Sequence, residues 1–129
     1  MPDKFLARFY RTISFGPGEP FPADGFRRLF LPSALLLERT ETGYAAKTVE
    51  EHIQEFEAAV RDYPQLFTAG FSERQTLLEW TQQNGVYLAH SGYEKRYTRG
   101  SEPVTEYGVN HFTILTDAGE PRIACAVWE

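Results

Sequence analysis

Apolar positions recur at helical spacing near the start of the chain, where Leu6, Phe9, Tyr10 and Ile13 mark one face of a helix from Lys4 to Ser14, with Asp3 placed to cap it. The stretch Gly16-Pro17-Gly18-Glu19-Pro20-Phe21-Pro22 cannot continue a helix and reads as a loop. Phe26, Leu29 and Phe30 then give a short second stripe that Pro32 ends, followed by a strand through Ala34–Glu38. After a turn at Glu41-Thr42-Gly43, Thr48 and Glu51 form a capping box for a helix whose face is Val49, Ile53, Phe56 and Val60, stopped by Pro64. From there the period changes to that of strands: about Phe67 to Thr81, Gly85 to Arg99, Glu106 to Leu115 and Arg122 to Glu129. Gln83-Asn84-Gly85, Gly100-Ser101-Glu102-Pro103 and a longer loop at residues 116–121 supply the reversals.

This order predicts an α+β fold, a strongly curved, mainly antiparallel (mixed) sheet wrapped around N-terminal helices. A long twisted sheet roofed by helices on one side encloses a conical hollow, and with it a cavity. The chain of 129 residues is read as a single domain, 1–129. Ten Phe, seven Tyr and two Trp are a surplus of large rings that either fill a core or line that hollow.

A net charge of −5 argues against a groove that tracks phosphates, so nucleic acid is not an expected partner. No apolar run approaches the roughly 20 residues needed to span a bilayer, and the start Met1-Pro2-Asp3-Lys4 lacks a leader's apolar region, so a soluble protein with no membrane partner is expected. The lone cysteine, Cys125, lies in an apolar strand, reads as a small buried hydrophobe and suits a reducing cytoplasm. His52, His90 and His111 sit on three different elements without ligand spacing, so no metal is expected, and no cofactor either, since phosphate-binding loop and nucleophile elbow are both missing.

The order of elements, with Phe26-Arg27-Arg28-Leu29-Phe30-Leu31-Pro32-Ser33-Ala34 before the first strand, resembles the nuclear transport factor 2-like superfamily, which includes SnoaL-like cyclases and ketosteroid isomerases and has the cystatin-like cone fold. Ile13-Ser14 with residues 16–20, Phe71-Ser72-Glu73, Ser91-Gly92-Tyr93-Glu94-Lys95-Arg96, Gly108-Val109-Asn110 and Ala126-Val127-Trp128-Glu129 are similar to a bacterial branch of it. The resemblance spans nearly the whole chain. It implies a cone-shaped α+β barrel with a ligand pocket between sheet and helices, and a homodimer joined through the outer face of the sheet. Ketosteroid isomerases use a Tyr and two carboxylates, one on the penultimate strand, where this chain has Asn110 or His111. An amide does not replace a protonated acid as a donor, so isomerase chemistry of that kind is not expected.

Strand alternation groups the candidates. His90, Glu94 and Arg96 share a face with Gly92 and either line the cavity or form an ion pair at the rim or dimer face of the sheet. Asn110 and His111 point to opposite faces; the resemblance of Gly108-Val109-Asn110 to the bacterial branch implies Asn110 inward with Phe112 and His111 toward a partner, and the reverse parity would exchange the two. Glu73 and Glu79 share a face, and if Phe71 packs inward Glu73 is either a buried carboxylate of raised pKa or a partner for Arg96 or Arg74. Tyr10 offers its hydroxyl to the cavity or is core with a wet tip. Together with Trp128 these make the ligand-binding set Tyr10, Phe71, Glu73, His90, Glu94, Arg96, Asn110, Phe112 and Trp128, with His90, Asn110, Glu73 and Tyr10 as catalytic candidates.

Three functions follow as expectations. One is binding of a small apolar or aromatic molecule. A second is a cofactor-independent lyase or isomerase moving protons with His90 or His111 as base and Asn110 as carbonyl partner. The third is a structural dimerisation module.

Overall fold

The computed structural model describes residues 2–129; Met1, where the reading of a start without a leader begins, lies outside the described residues. Helix α1 (Pro2–Ile13) buries Phe5, Leu6, Phe9, Tyr10 and Ile13 on one face. It begins a residue before Asp3, so Asp3 is not its cap but a first-turn acid that complements the helix dipole. Helix α2 (Ala23–Arg28) is shorter than its apolar stripe suggested, because Phe30 already belongs to strand β1 (Phe30–Thr40). Capture by the sheet explains the difference: the Ile123 amide donates to the Leu29 carbonyl at 2.9 Å, and the Phe26 and Phe30 rings meet at 4.8 Å across the break. Pro32 is tolerated inside β1 because the pairing is interrupted between Phe30 and Leu35, where no ladder donor is needed.

Strand β2 (Gly43–Thr48) has no counterpart among the sequence-predicted elements; it is an exposed edge whose Ala45-Ala46 pair gives no apolar alternation. Helix α3 (Val49–Asp62) starts on the expected capping box, with Thr48 Oγ1 accepting from the Glu51 amide at 3.1 Å and Glu51 Oε1 from the Thr48 amide at 3.0 Å. A single 3-10 turn, Pro64–Leu66, precedes strand β3 (Ser72–Gln83), which begins five residues later than the apolar run. Those residues are held by the α1 exit instead: Phe15 and Phe71 exchange backbone bonds of 2.9 Å, and Gly70 at φ +82° lies so close to Phe15 that a Cβ would strike its carbonyl.

Strands β4 (Val86–Arg99), β5 (Glu102–Asp117) and β6 (Glu120–Trp128) complete the sheet in the order β2-β1-β6-β5-β4-β3, antiparallel except for the parallel pair β1–β6. The three hairpin loops that join β3 to β6 are tighter than expected: Gln83 pairs with Val86, Arg99 with Glu102 and Asp117 with Glu120, each leaving two loop residues. Positive φ at both Ala118 and Gly119 matches the twist of such a reversal.

The sheet is open, with β2 and β3 as edges, and curls around the helices on one side. Phe9 meets Tyr10, Phe30 and Phe112 edge-on at 5.1, 6.4 and 5.1 Å, over fully buried Leu6, Ile114 and Ile123. Phe15, Phe21, Phe56, Phe67 and Phe71 close one end in a chain of ring contacts at 4.6–6.3 Å. No helix among the described residues is long and apolar enough to cross a membrane.

Candidate functional site

Between helices and sheet lies a cavity of about 310 Å³. Its apolar wall comes from α1 (Phe9, Ile13), the α1–α2 connection (Phe21), α2 (Phe26) and α3 (Phe56), with Phe71, Phe112 and Trp128 from the sheet side. Polar groups in the wall are few: Glu73, Asn110, Tyr93, Lys95 and His52, with Glu38, Lys47 and Glu55.

Strand parity decides which candidates reach it. Asn110 and Phe112 are buried on the concave side, as expected, and His111 faces the other way. Because Ser91 pairs with Asn110 and His90 with His111, the same register sends His90, Gly92, Glu94 and Arg96 to the outer face. The structure therefore places His90, Glu94 and Arg96 outside the cavity, which corrects the reading of them as wall residues. Glu94 is only 3% exposed, clamped by Arg74 Nη2 at 2.7 Å and Arg96 Nε at 2.5 Å. The Arg74 hydrogen bond, above all, holds its carboxyl below the usual range. His90 and His111 share a contact of 2.6 Å between Nδ1 atoms, and His111 Nε2 lies 3.5 Å from Glu129, which Arg39 holds at 2.7 Å. Neither histidine can serve as a base in the cavity.

Glu73 and Glu79 do not share a face. A bulge between Gln75 and Leu77 inserts Thr76 and reverses the alternation, so Glu73 turns inward while Glu79 pairs with His90 outside. Gly92 makes the bulge possible, since a Cβ there would press on Thr76 Oγ1 and Leu77. Glu73 is thus neither partnered by Arg74 nor by Arg96. Burial in the apolar wall pushes its carboxyl up to about 7, opposed only by the charge of Lys95, and no described residue donates a hydrogen bond to it. Lys95, its cross-strand neighbour, is held by Glu106 at 3.3 Å.

Tyr10 does not line the cavity; it stands behind Asn110. Asn110 Nδ2 donates to Tyr10 Oη at 3.1 Å, Tyr10 Oη lies 2.6 Å from Ser91 Oγ, and Ser91 donates to Gln75 Oε1 at 2.7 Å. Burial raises the Tyr10 hydroxyl to about 12, so it remains protonated. Of the predicted ligand set, the structure brings together Phe71, Glu73, Asn110, Phe112 and Trp128.

His52, read from the sequence only as a histidine without ligand spacing to the other two, lines the cavity. Its ring stacks on Phe26 at 5.2 Å and meets Trp128 edge-on at 5.6 Å, with Nδ1 buried and unpartnered. Burial, then the charge of Lys47, lowers it to about 4, so it is neutral at neutral pH. Tyr93 also escaped the pattern: its hydroxyl sits where a Cβ on Gly108 would be, and the glycine opposite it in the register was the available signal. Lys47 spans the mouth, bonded to Glu55 at 2.5 Å and resting 5.7 Å above the Trp128 ring. Cys125 is half-buried and free, on the face opposite Ala126, and is not the buried hydrophobe expected. No cluster of three metal-binding side chains occurs among the described residues.

An open curved sheet, a parallel β1–β6 pair and three helical segments on the concave side define the cystatin-like, nuclear transport factor 2-like fold. Solved structures agree: a cystatin-like protein from Nostoc punctiforme superposes with TM-score 0.69 at 16% identity over 98% of this chain and 86% of its own. A nuclear transport factor 2-like protein of unknown function in nutrient uptake from Rhodospirillum rubrum gives 0.74 at 12% over 100% and 97%. A provisionally named scytalone dehydratase from Novosphingobium aromaticivorans gives 0.75 at 10% over 98% and 79%. No family model and no curated protein matches the chain.

Proposed function

We propose that the protein binds a small apolar or aromatic molecule in the cone. The observation that carries this reading is the cavity of about 310 Å³, walled by aromatic rings with a few convergent polar groups, a size and chemistry suited to a compact ligand. A purely structural module would gain stability by filling that space, since an empty apolar volume forfeits dispersion contacts. Thermal-shift titration with uncharged aromatic compounds tests it: a ligand that binds only the folded state raises the melting temperature. Ala126→Leu, which places bulk in the cavity wall, is expected to abolish the shift while the fold persists. No shift with any compound would reject the reading.

A second reading, proton transfer without a cofactor, is favoured by one observation: Glu73 presents a carboxyl pushed up to about 7 to a half-open, largely apolar space. It replaces the version built on His90 or His111. Deuterium exchange at the α-carbon of a bound aryl ketone, followed by NMR, is expected with the natural chain and lost in Glu73→Gln; equal exchange in both would reject it.

The same reading includes a homodimer joined through the outer face and a cytoplasmic setting. Leu77, Leu88 and Tyr107 are 56%, 50% and 73% exposed on that face, an apolar area of the kind partners cover. Sedimentation is expected to show a dimer, dissociated by Leu88→Glu; a monomeric natural chain would reject this part.

A further inference from the structure

The buried polar chain behind the cavity has a direction, and the direction selects the ligand. Gln75 Oε1 can only accept, so Ser91 spends its proton there. Tyr10 must then donate to Ser91, and its oxygen is left to accept from Asn110. The Asn110 amide therefore turns its NH₂ end to Tyr10 and leaves Oδ1 as the end toward the cavity. Above its midpoint, the nearby Glu73 carboxylate is likewise an acceptor only. The two lysines of the wall are already engaged, Lys95 with Glu106 and Lys47 with Glu55 and, at 3.7 Å, Glu38, which leaves the Tyr93, His52 and Trp128 side chains to meet a ligand's ring or oxygen. An acceptor set in a largely apolar wall is poorly solvated, and an incoming O–H group that donates to it recovers free energy.

We propose that the cavity takes an uncharged aromatic molecule bearing a hydroxyl group, a phenol or naphthol, which donates to Glu73 with Asn110 Oδ1 ready for a second donor. The proposal rests on the reading of the cavity as a ligand site and narrows it. An aromatic carboxylate would set its charge against Glu73 and the Asn110 carbonyl, while an ammonium would lose its hydration among phenylalanines beside Lys47 and Lys95. A neutral ring with one hydroxyl meets neither penalty.

The test uses the intact protein and three compounds of one skeleton, naphthol, its methyl ether and naphthoate, titrated calorimetrically about one pH unit above the Glu73 midpoint of about 7. Naphthol is expected to bind at least about tenfold tighter than the ether, with naphthoate weakest, because an analogue lacking the donor leaves the site's acceptors unpaired. Glu73→Gln keeps the shape but adds an N–H donor, and is expected to erase or invert the preference of naphthol over ether. Ether or naphthoate binding as tightly as naphthol overturns the donor rule while the ligand site stands, and so does an unchanged preference in Glu73→Gln. If none of the three binds, it is the ligand site itself that falls.

Discussion

Two carboxylates one strand apart behave oppositely. Glu73 on β3 pairs in register with Lys95, and Glu94 on β4 with Arg74, so the two acids share one short stretch of ladder but leave it from opposite faces. Outside, Glu94 is covered by two arginine side chains and its charged form is stabilised. Inside, Glu73 has a largely apolar wall and no hydrogen-bond donor among the described residues, and its charged form is penalised. Sheet pleating alone separates the outcomes. A protein that needed only a fold would have had little reason to turn a carboxylate into that wall.

The comparison can be broken most forcefully by removing what makes the inner face apolar. Phe9→Ala should lower stability by about 3–5 kcal/mol, the usual cost of deleting a packed core ring, measured by urea unfolding. Next comes the charge penalty itself. A carboxyl raised from 4.5 to about 7 is neutral at no cost below 4.5, and its penalty grows as pH rises to about 7 and then stays constant, approaching about 3 kcal/mol. Glu73→Gln should therefore leave stability unchanged at acid pH and raise it above 7. Glu94→Gln should do the reverse: the lowered carboxyl stabilises the fold above its unfolded value and loses that contribution as pH falls through its folded value, so the substitution weakens the protein at neutral pH and not in acid. Parallel pH profiles for the two variants would dissolve the contrast.

Smaller effects sharpen it. Ser91→Ala removes the link between Tyr10 and Gln75 in a fully buried position and should cost about 1–3 kcal/mol, the penalty of leaving buried partners unsatisfied. It also frees the Tyr10 hydroxyl to donate to Asn110 Oδ1, which should turn the amide and weaken the preference for naphthol over its ether. Gly108→Ala drives a Cβ into both the Tyr93 hydroxyl and the Glu129 backbone carbonyl, so thermal stability and ligand affinity should fall together.

Much of the fold was legible because its signals are local. The α1 stripe, the Thr48–Glu51 box and the Asn84-Gly85 reversal each depend on a few adjacent residues. Strand β2 was not, since an exposed edge with alanines carries neither period nor large side chains. Part of the site was equally legible: Phe71, Glu73 and Phe112 follow from apolar neighbours on their strands, and Asn110 and Trp128 from the motifs that carry the resemblance. His90, Glu94 and Arg96 went to the wrong side because alternation groups residues by face without saying which face is inward. That choice is made by pairing with β5, a separate strand in which Phe112 and Ile114 are committed to the core. The bulge at Thr76 separates Glu79 from Glu73 and is visible only once Gly92 is placed opposite it.

The account stands on an acid held without a donor in an apolar hollow, and an NMR titration of the Glu73 side-chain carbonyl, assigned by its loss in Glu73→Gln, measures this directly. The midpoint should fall near 7. A midpoint at the ordinary glutamate value of about 4.5 or below would mean that the carboxyl is solvated or paired, and would contradict the site described here.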